Sequence, residues 1–67
     1  MNAHELKAQM VRKDKSAKQL CTAMGICKSA WYRKVKGESE FTQSEIIVLR
    51  QELGLDDQLT ATIFFAG

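Results

Sequence analysis

The sequence predicts an all-α fold, five short helices gathered into one small bundle. Three observations lead there. Apolar residues recur at three- and four-residue spacing through most of the chain, the period of an amphipathic helix rather than the alternation of a strand. Capping residues and glycines punctuate that pattern: Ser16, Thr42 and Asp56 stand where helices would begin, and Gly25, Gly37 and Gly54 where they would end. Proline is absent, and 45% hydrophobic with 27% charged residues suits a helical domain.

From about Ala3 to Lys13, Leu6 and Met10 recur four apart, flanked by Ala3 and Val11, and define the first helix. Asp14 and Lys15 interrupt the apolar pattern. Ser16 then offers a hydroxyl that can accept from the free backbone N–H groups of the next turn. The second helix is expected over Ala17–Met24, with Leu20, Cys21 and Met24 inward. Gly25 can take the left-handed conformation that ends a helix cheaply, Ile26 plugs the turn, and Cys27 opens the next element.

The third helix is expected over about Lys28–Lys36, with Trp31 and Val35 four apart on the apolar side and Ile26 and Ala30 beside them. Lys28, Ser29, Tyr32, Arg33 and Lys36 fall on the opposite side. After Gly37, residues 38–41 form a loop. Thr42-Gln43-Ser44-Glu45 has the spacing of a capping box, in which Thr42 accepts from the Glu45 N–H and the Glu45 side chain reaches back. The fourth helix carries Ile46, Ile47, Leu49 and Leu53 and stops at Gly54. Asp56 and Asp57 start a fifth helix to about Phe65, with Leu59, Ile63 and Phe64.

At 67 residues the chain is expected to be one domain, 1–67. A chain this short buries only about 60% of its unfolded surface and is marginal in stability. Cys21 and Cys27 make no disulfide framework and read as reduced thiols of a cytoplasmic protein. No stretch resembles a signal peptide or approaches the ~20 apolar residues of a membrane span, so no membrane partner is expected. The cysteine spacing matches no zinc signature, and no metal or other cofactor is expected. The single His4 lies near a terminus with no acid–base or nucleophile constellation around it, which argues against an enzyme. A deep pocket for a small-molecule ligand needs more wall than this chain provides.

The charge pattern points toward a partner. Between Lys15 and Gly37 stand six cations, Lys15, Lys18, Lys28, Arg33, Lys34 and Lys36, and no acid. Residues 38–67 carry Arg50 against Glu38, Glu40, Glu45, Glu52, Asp56 and Asp57. A formal net charge of +2 therefore conceals a strongly basic middle. Lysine and arginine runs are often only solvated helix faces. The absence of acids, together with two short helices around a glycine turn, favours a polyanion, and nucleic acid is the usual one. Trp31 could stack on bases, but its spacing with Ile26 and Val35 favours the core. Tyr32, on the polar side, favours DNA or solvent.

The segment Ser16-Ala17-Lys18-Gln19-Leu20-Cys21-Thr22-Ala23-Met24-Gly25-Ile26-Cys27-Lys28-Ser29-Ala30-Trp31-Tyr32-Arg33-Lys34-Val35-Lys36-Gly37 resembles the helix-turn-helix of the phage repressor and Cro family, the XRE-type regulators. Glu40-Phe41-Thr42 and Glu45-Ile46 resemble the start of the fourth helix in small phage-encoded members, so the similarity covers essentially the whole chain. It implies a five-helix lambda-repressor-like bundle and a sequence-specific regulator whose third helix enters the major groove of double-stranded DNA. Position by position, it implies base contacts from Lys28, Ser29, Tyr32 and Arg33, with Arg33 and Lys28 foremost. Phosphate contacts fall to Lys15, Ser16, Lys18, Lys34 and Lys36. Two positions depart from the family: Ala17 stands where a phosphate-bracing Gln is usual, and Cys27 where Ser or Thr commonly caps the third helix.

Ile63-Phe64-Phe65 places three large apolar side chains on one turn, more than so small a domain covers easily. Either the last helix folds back onto the first, or Leu59, Ile63, Phe64 and Phe65 form a homodimer interface. A two-fold dimer would set two third helices about 34 Å apart on a roughly palindromic operator. The expected role is a repressor of the Cro type, acting at the nucleoid of a bacterial host. Two alternatives belong to other classes: a protein-binding adaptor or antagonist of another regulator, and a DNA-architectural or recombination accessory factor.

Overall fold

A computed structural model describes residues 1–65. Helix α1 spans Ala3–Arg12, α2 Ala17–Met24, α3 Lys28–Lys36, α4 Gln43–Leu53 and α5 Asp57–Thr60, which runs on into a π-helical turn at Ala61–Phe65. No strand occurs among the described residues. The body measures 27 × 25 × 20 Å.

Side chains cap the starts of α1, α2, α4 and α5. The Ser16 Oγ accepts from the Gln19 N–H at 3.2 Å while the Ser16 N–H donates to Gln19 Oε1 at 2.8 Å, a reciprocal box at the head of α2. Thr42 and Glu45 build the same box on α4. Asn2 caps α1 and Asp56 caps α5, each accepting from a backbone N–H three residues on. Helix α2 ends at Gly25, φ 72° and ψ 31°, where the Ile26 N–H reaches back to the Cys21 carbonyl at 3.0 Å. That left-handed turn favours a residue without a Cβ. Helix α1 ends differently, with Asp14 at φ 54°, the sole non-glycine residue at positive φ among the described residues.

The core is Leu6 from α1, Leu20 and Cys21 from α2, Trp31 from α3, Phe41 from the loop, Leu49 and Leu53 from α4, and Leu55 and Ile63 beyond it. Met10, Met24, Ile26, Val35, Ile46 and Leu59 pack against its edge. Two expected core positions lie outside. Val11 is 81% exposed because it follows Met10 by 100° around α1, and Ile47, next to Ile46, is half exposed for the same reason. Gln9 takes a buried place instead, its Nε2 donating to Glu5 Oε1 at 3.0 Å.

The last turn folds back on α1. The Asn2 N–H donates to the Ile63 carbonyl at 2.7 Å, and the Ile63 side chain is fully buried. Phe64 is half-buried, edge-on to Phe41 at 5.7 Å between ring centroids. Of the two expectations for the tail the fold-back holds, and the dimer-interface set is corrected at Ile63, which belongs to the interior of its own chain; Leu59 and Phe64 are half-buried, and Phe65 is 69% exposed.

Candidate nucleic-acid interface

Residues 25–27 join α2 to α3 with Ile26 half-buried beneath the turn. Helix α3 is anchored by Trp31, buried and edge-on to Phe41 at 5.6 Å, with Ala30 and Val35 half-buried on either side. At 100° per residue, positions 28, 29, 32, 33 and 36 occupy an arc of about 140°, and Trp31 and Val35 lie outside it. Lys28, Ser29, Tyr32, Arg33 and Lys36 are all exposed, so the four expected base-contacting residues share one outward side.

That side is cationic without internal compensation. The ion pairs among the described residues are Lys15–Glu52 at 3.7 Å, Lys34–Glu45 at 2.9 Å and Arg50–Asp57 at 2.6 Å. Lys18, Lys28, Arg33 and Lys36 take part in none of them. Exposed like charges on one surface repel one another, and a polyanion relieves the repulsion while releasing its own counterions.

The residues expected at phosphates are placed less uniformly. Lys18 is exposed on the first turn of α2. Ser16 uses its hydroxyl oxygen as the α2 cap and keeps its proton to donate. Lys15 is half-buried and faces Glu52. Lys34 departs from the expectation. Its Nζ donates to Glu45 Oε1 and, at 3.1 Å, to the Glu40 carbonyl, and it lies 5.7 Å from the Phe41 ring centroid. On the helical wheel Lys34 sits about 60° from Trp31 and outside the polar arc, so its stem follows the tryptophan inward.

Burial pushes the Glu45 carboxyl up, but the Thr42 backbone N–H and the Lys34 hydrogen bond and charge together outweigh it and hold the group below its ordinary value. The two thiols diverge. Burial raises Cys21, with Lys28 pulling partly the other way. The Ala30 backbone N–H at the start of α3 lowers the exposed Cys27, aided by those of Ser29 and Cys27 and by Arg33. Cys27 makes no side-chain cap hydrogen bond, so α3 lacks the capping that α2 and α4 have.

No group of three or more His, Cys, Asp or Glu among the described residues could hold a metal ion. No helix of the described residues is long and apolar enough to cross a membrane. A groove of about 350 Å³ lies at the C-terminal end of α3, where Met1, Ile46, Phe64 and Phe65 meet Lys34 and Glu40. No family model, curated protein or solved structure matches the chain.

Proposed function

We propose that this chain is a sequence-specific DNA-binding regulator of the phage repressor and Cro type, with α3 lying in the major groove. One observation carries the proposal: Lys28, Ser29, Tyr32 and Arg33 stand exposed on one side of a helix whose other side holds buried Trp31, and no acid among the described residues pairs with Lys28 or Arg33. A rigid helix with long donors on one side suits a groove about 12 Å wide. Arg33 can give two parallel hydrogen bonds to guanine O6 and N7, and Lys28 can reach a base edge from the first turn. Ser29 and Tyr32 add donors and a methyl-contacting ring. Lys18, Lys36, Ser16 and Lys15 contact phosphates on either side and set the register without reading sequence.

One such surface makes few contacts for tight specific binding, so two copies are expected on an operator with two-fold symmetry. Phe65, exposed in the lining of that groove, is the contact offered for the second copy. Regulation follows from occupancy: a protein seated across a promoter excludes the polymerase.

Selection of bound fragments from a random duplex pool, followed by footprinting at two salt concentrations, tests the proposal. A recovered palindrome with half-sites one helical turn apart, bound orders of magnitude more weakly at higher salt, supports it. A pool that returns no enriched motif refutes it. Tight binding to a protein partner with no salt-dependent DNA binding would establish the adaptor alternative instead.

A further inference from the structure

We infer that Glu45 is a positioning residue for α3, acting through Lys34 to fix the attitude at which the helix meets DNA. The inference rests on the proposed function and adds to it a residue that touches no nucleic acid.

Helix α3 packs closely along α2 but has no comparable backbone contact with α4 among the described residues. Its C-terminal half is therefore held by side chains. Trp31 supplies one anchor, against Phe41. Val35 packs half-buried beside it, and Lys34 supplies the polar anchor, one turn further on, through two hydrogen bonds that cross the loop after Gly37 to the Glu40 carbonyl and to Glu45 Oε1. The two side chains of the ion pair are 12% and 13% exposed. Water screens such a pair far less than an exposed one, and removing one partner leaves the other charge largely uncompensated.

The same Glu45 oxygen that receives the Lys34 ammonium at 2.9 Å also accepts from the Thr42 backbone N–H at 2.8 Å. Glu45 is thus oriented by the capping box before Lys34 reaches it, and the ion pair transmits the rigid start of α4 to the end of α3. Phe41 completes the joint: its ring meets Trp31 on one edge, Phe64 on another, and the Lys34 ammonium at 5.7 Å. A helix held only by the apolar contacts of Trp31 and half-buried Val35 could rock about them. Rocking would displace Arg33 and Lys36 relative to Lys28, and a bidentate base contact does not survive such displacement.

The test compares Glu45→Gln and Lys34→Met with wild type, well below their melting temperatures, on the selected operator and on random duplex. The amide oxygen that Glu45→Gln introduces can still accept from the Thr42 N–H, and Lys34→Met leaves the α4 capping box intact, so one variant remains informative should the other fail to fold. Positioning predicts that either substitution cuts the ratio of specific to random binding roughly tenfold, the scale of one lost base contact, with the salt dependence of random binding unchanged. It also predicts faster amide hydrogen exchange confined to the second half of α3. Four results overturn it. Tighter operator binding by Glu45→Gln, with Lys34→Met weakening operator and random DNA alike, makes Lys34 a phosphate contact that Glu45 merely masks. A lower melting temperature with an unchanged binding ratio makes the pair purely structural. A wild-type chain that binds no duplex removes the proposed function and this inference together, whereas normal wild-type binding with unaffected variants removes this inference alone.

Discussion

Cys27→Ser is expected to stabilise the protein. The three helices α2, α3 and α4 start from nearly the same backbone: φ −94° and ψ 160° at Ser16, φ −86° and ψ 165° at Cys27, φ −71° and ψ 163° at Thr42. At Ser16 and Thr42 that geometry brings the hydroxyl within 3.2 Å of the N–H three residues ahead. At Cys27 the corresponding N–H, that of Ala30, receives no side-chain acceptor. A serine there should take the bond its neighbours take. Such a cap contributes about 1 kcal/mol, which in a domain of this size raises the melting temperature by about 4–8 °C. Thermal unfolding followed by circular dichroism, with reductant present, reads the change, and Cys27→Ala is the control that should give no gain.

The thiol supplies a second dimension. Its folded-state value lies below the ordinary one, so its contribution to stability appears as pH rises through that folded value and is complete above the unfolded value. A thiolate accepts from Ala30 where the thiol does not. The advantage of Cys27→Ser should therefore be largest near neutrality and shrink as pH rises toward the ordinary thiol value. A serine variant that melts at or below the wild-type temperature at neutral pH refutes the capping argument.

Asp14 holds φ 54° and places an acid after the last turn of α1, next to the negative end of the helix dipole. Asp14→Gly should relieve both and stabilise by about 0.5–1 kcal/mol in chemical denaturation, and a loss of stability would contradict it. Glu45 titrates below its ordinary value, so its stabilising contribution is complete above about pH 4.3, the unfolded carboxyl value, and is lost as pH falls through the lower folded value. The difference in stability between wild type and Glu45→Gln should therefore narrow as the solution is acidified through that range, and a gap that widens there is the opposite sign. Phe65→Asp should weaken self-association and operator affinity together while leaving the monomer's melting temperature nearly unchanged, because Phe65 is exposed. A wild-type chain that sediments as a monomer both free and on DNA would contradict the dimer.

The helices were legible in the sequence because their boundaries are written locally. Ser16, Thr42 and Asp56 cap from their own side chains, and Gly25, Gly37 and Gly54 provide left-handed turns, so neither end depends on distant contacts. The outward side of α3 was legible for a related reason: Trp31, with Ile26 and Val35 beside it, sets which side of the helix turns inward, which leaves 28, 29, 32, 33 and 36 facing out. Pairs separated in sequence were not legible. Lys34 and Glu45 lie eleven residues apart across a turn, and no local rule connects them. The helical wheel carried a partial warning, since it puts Lys34 nearer Trp31 than Arg33, but composition grouped it with the other cations. The place of Ile63 stays open in the sequence, because apolar spacing reports an inward side without reporting whose interior it enters. The hydrogen bond from Asn2, at the far end of the chain, decides that it is this chain's own.

The central claim is that the exposed side of α3 reads bases. Its most direct measurement is the affinity of Arg33→Ala for the selected operator and for random duplex at the same salt concentration. Operator binding weakened by about 1–3 kcal/mol, with random binding nearly unchanged, is the predicted result. Equal losses on both duplexes would make Arg33 a phosphate contact and contradict the claim.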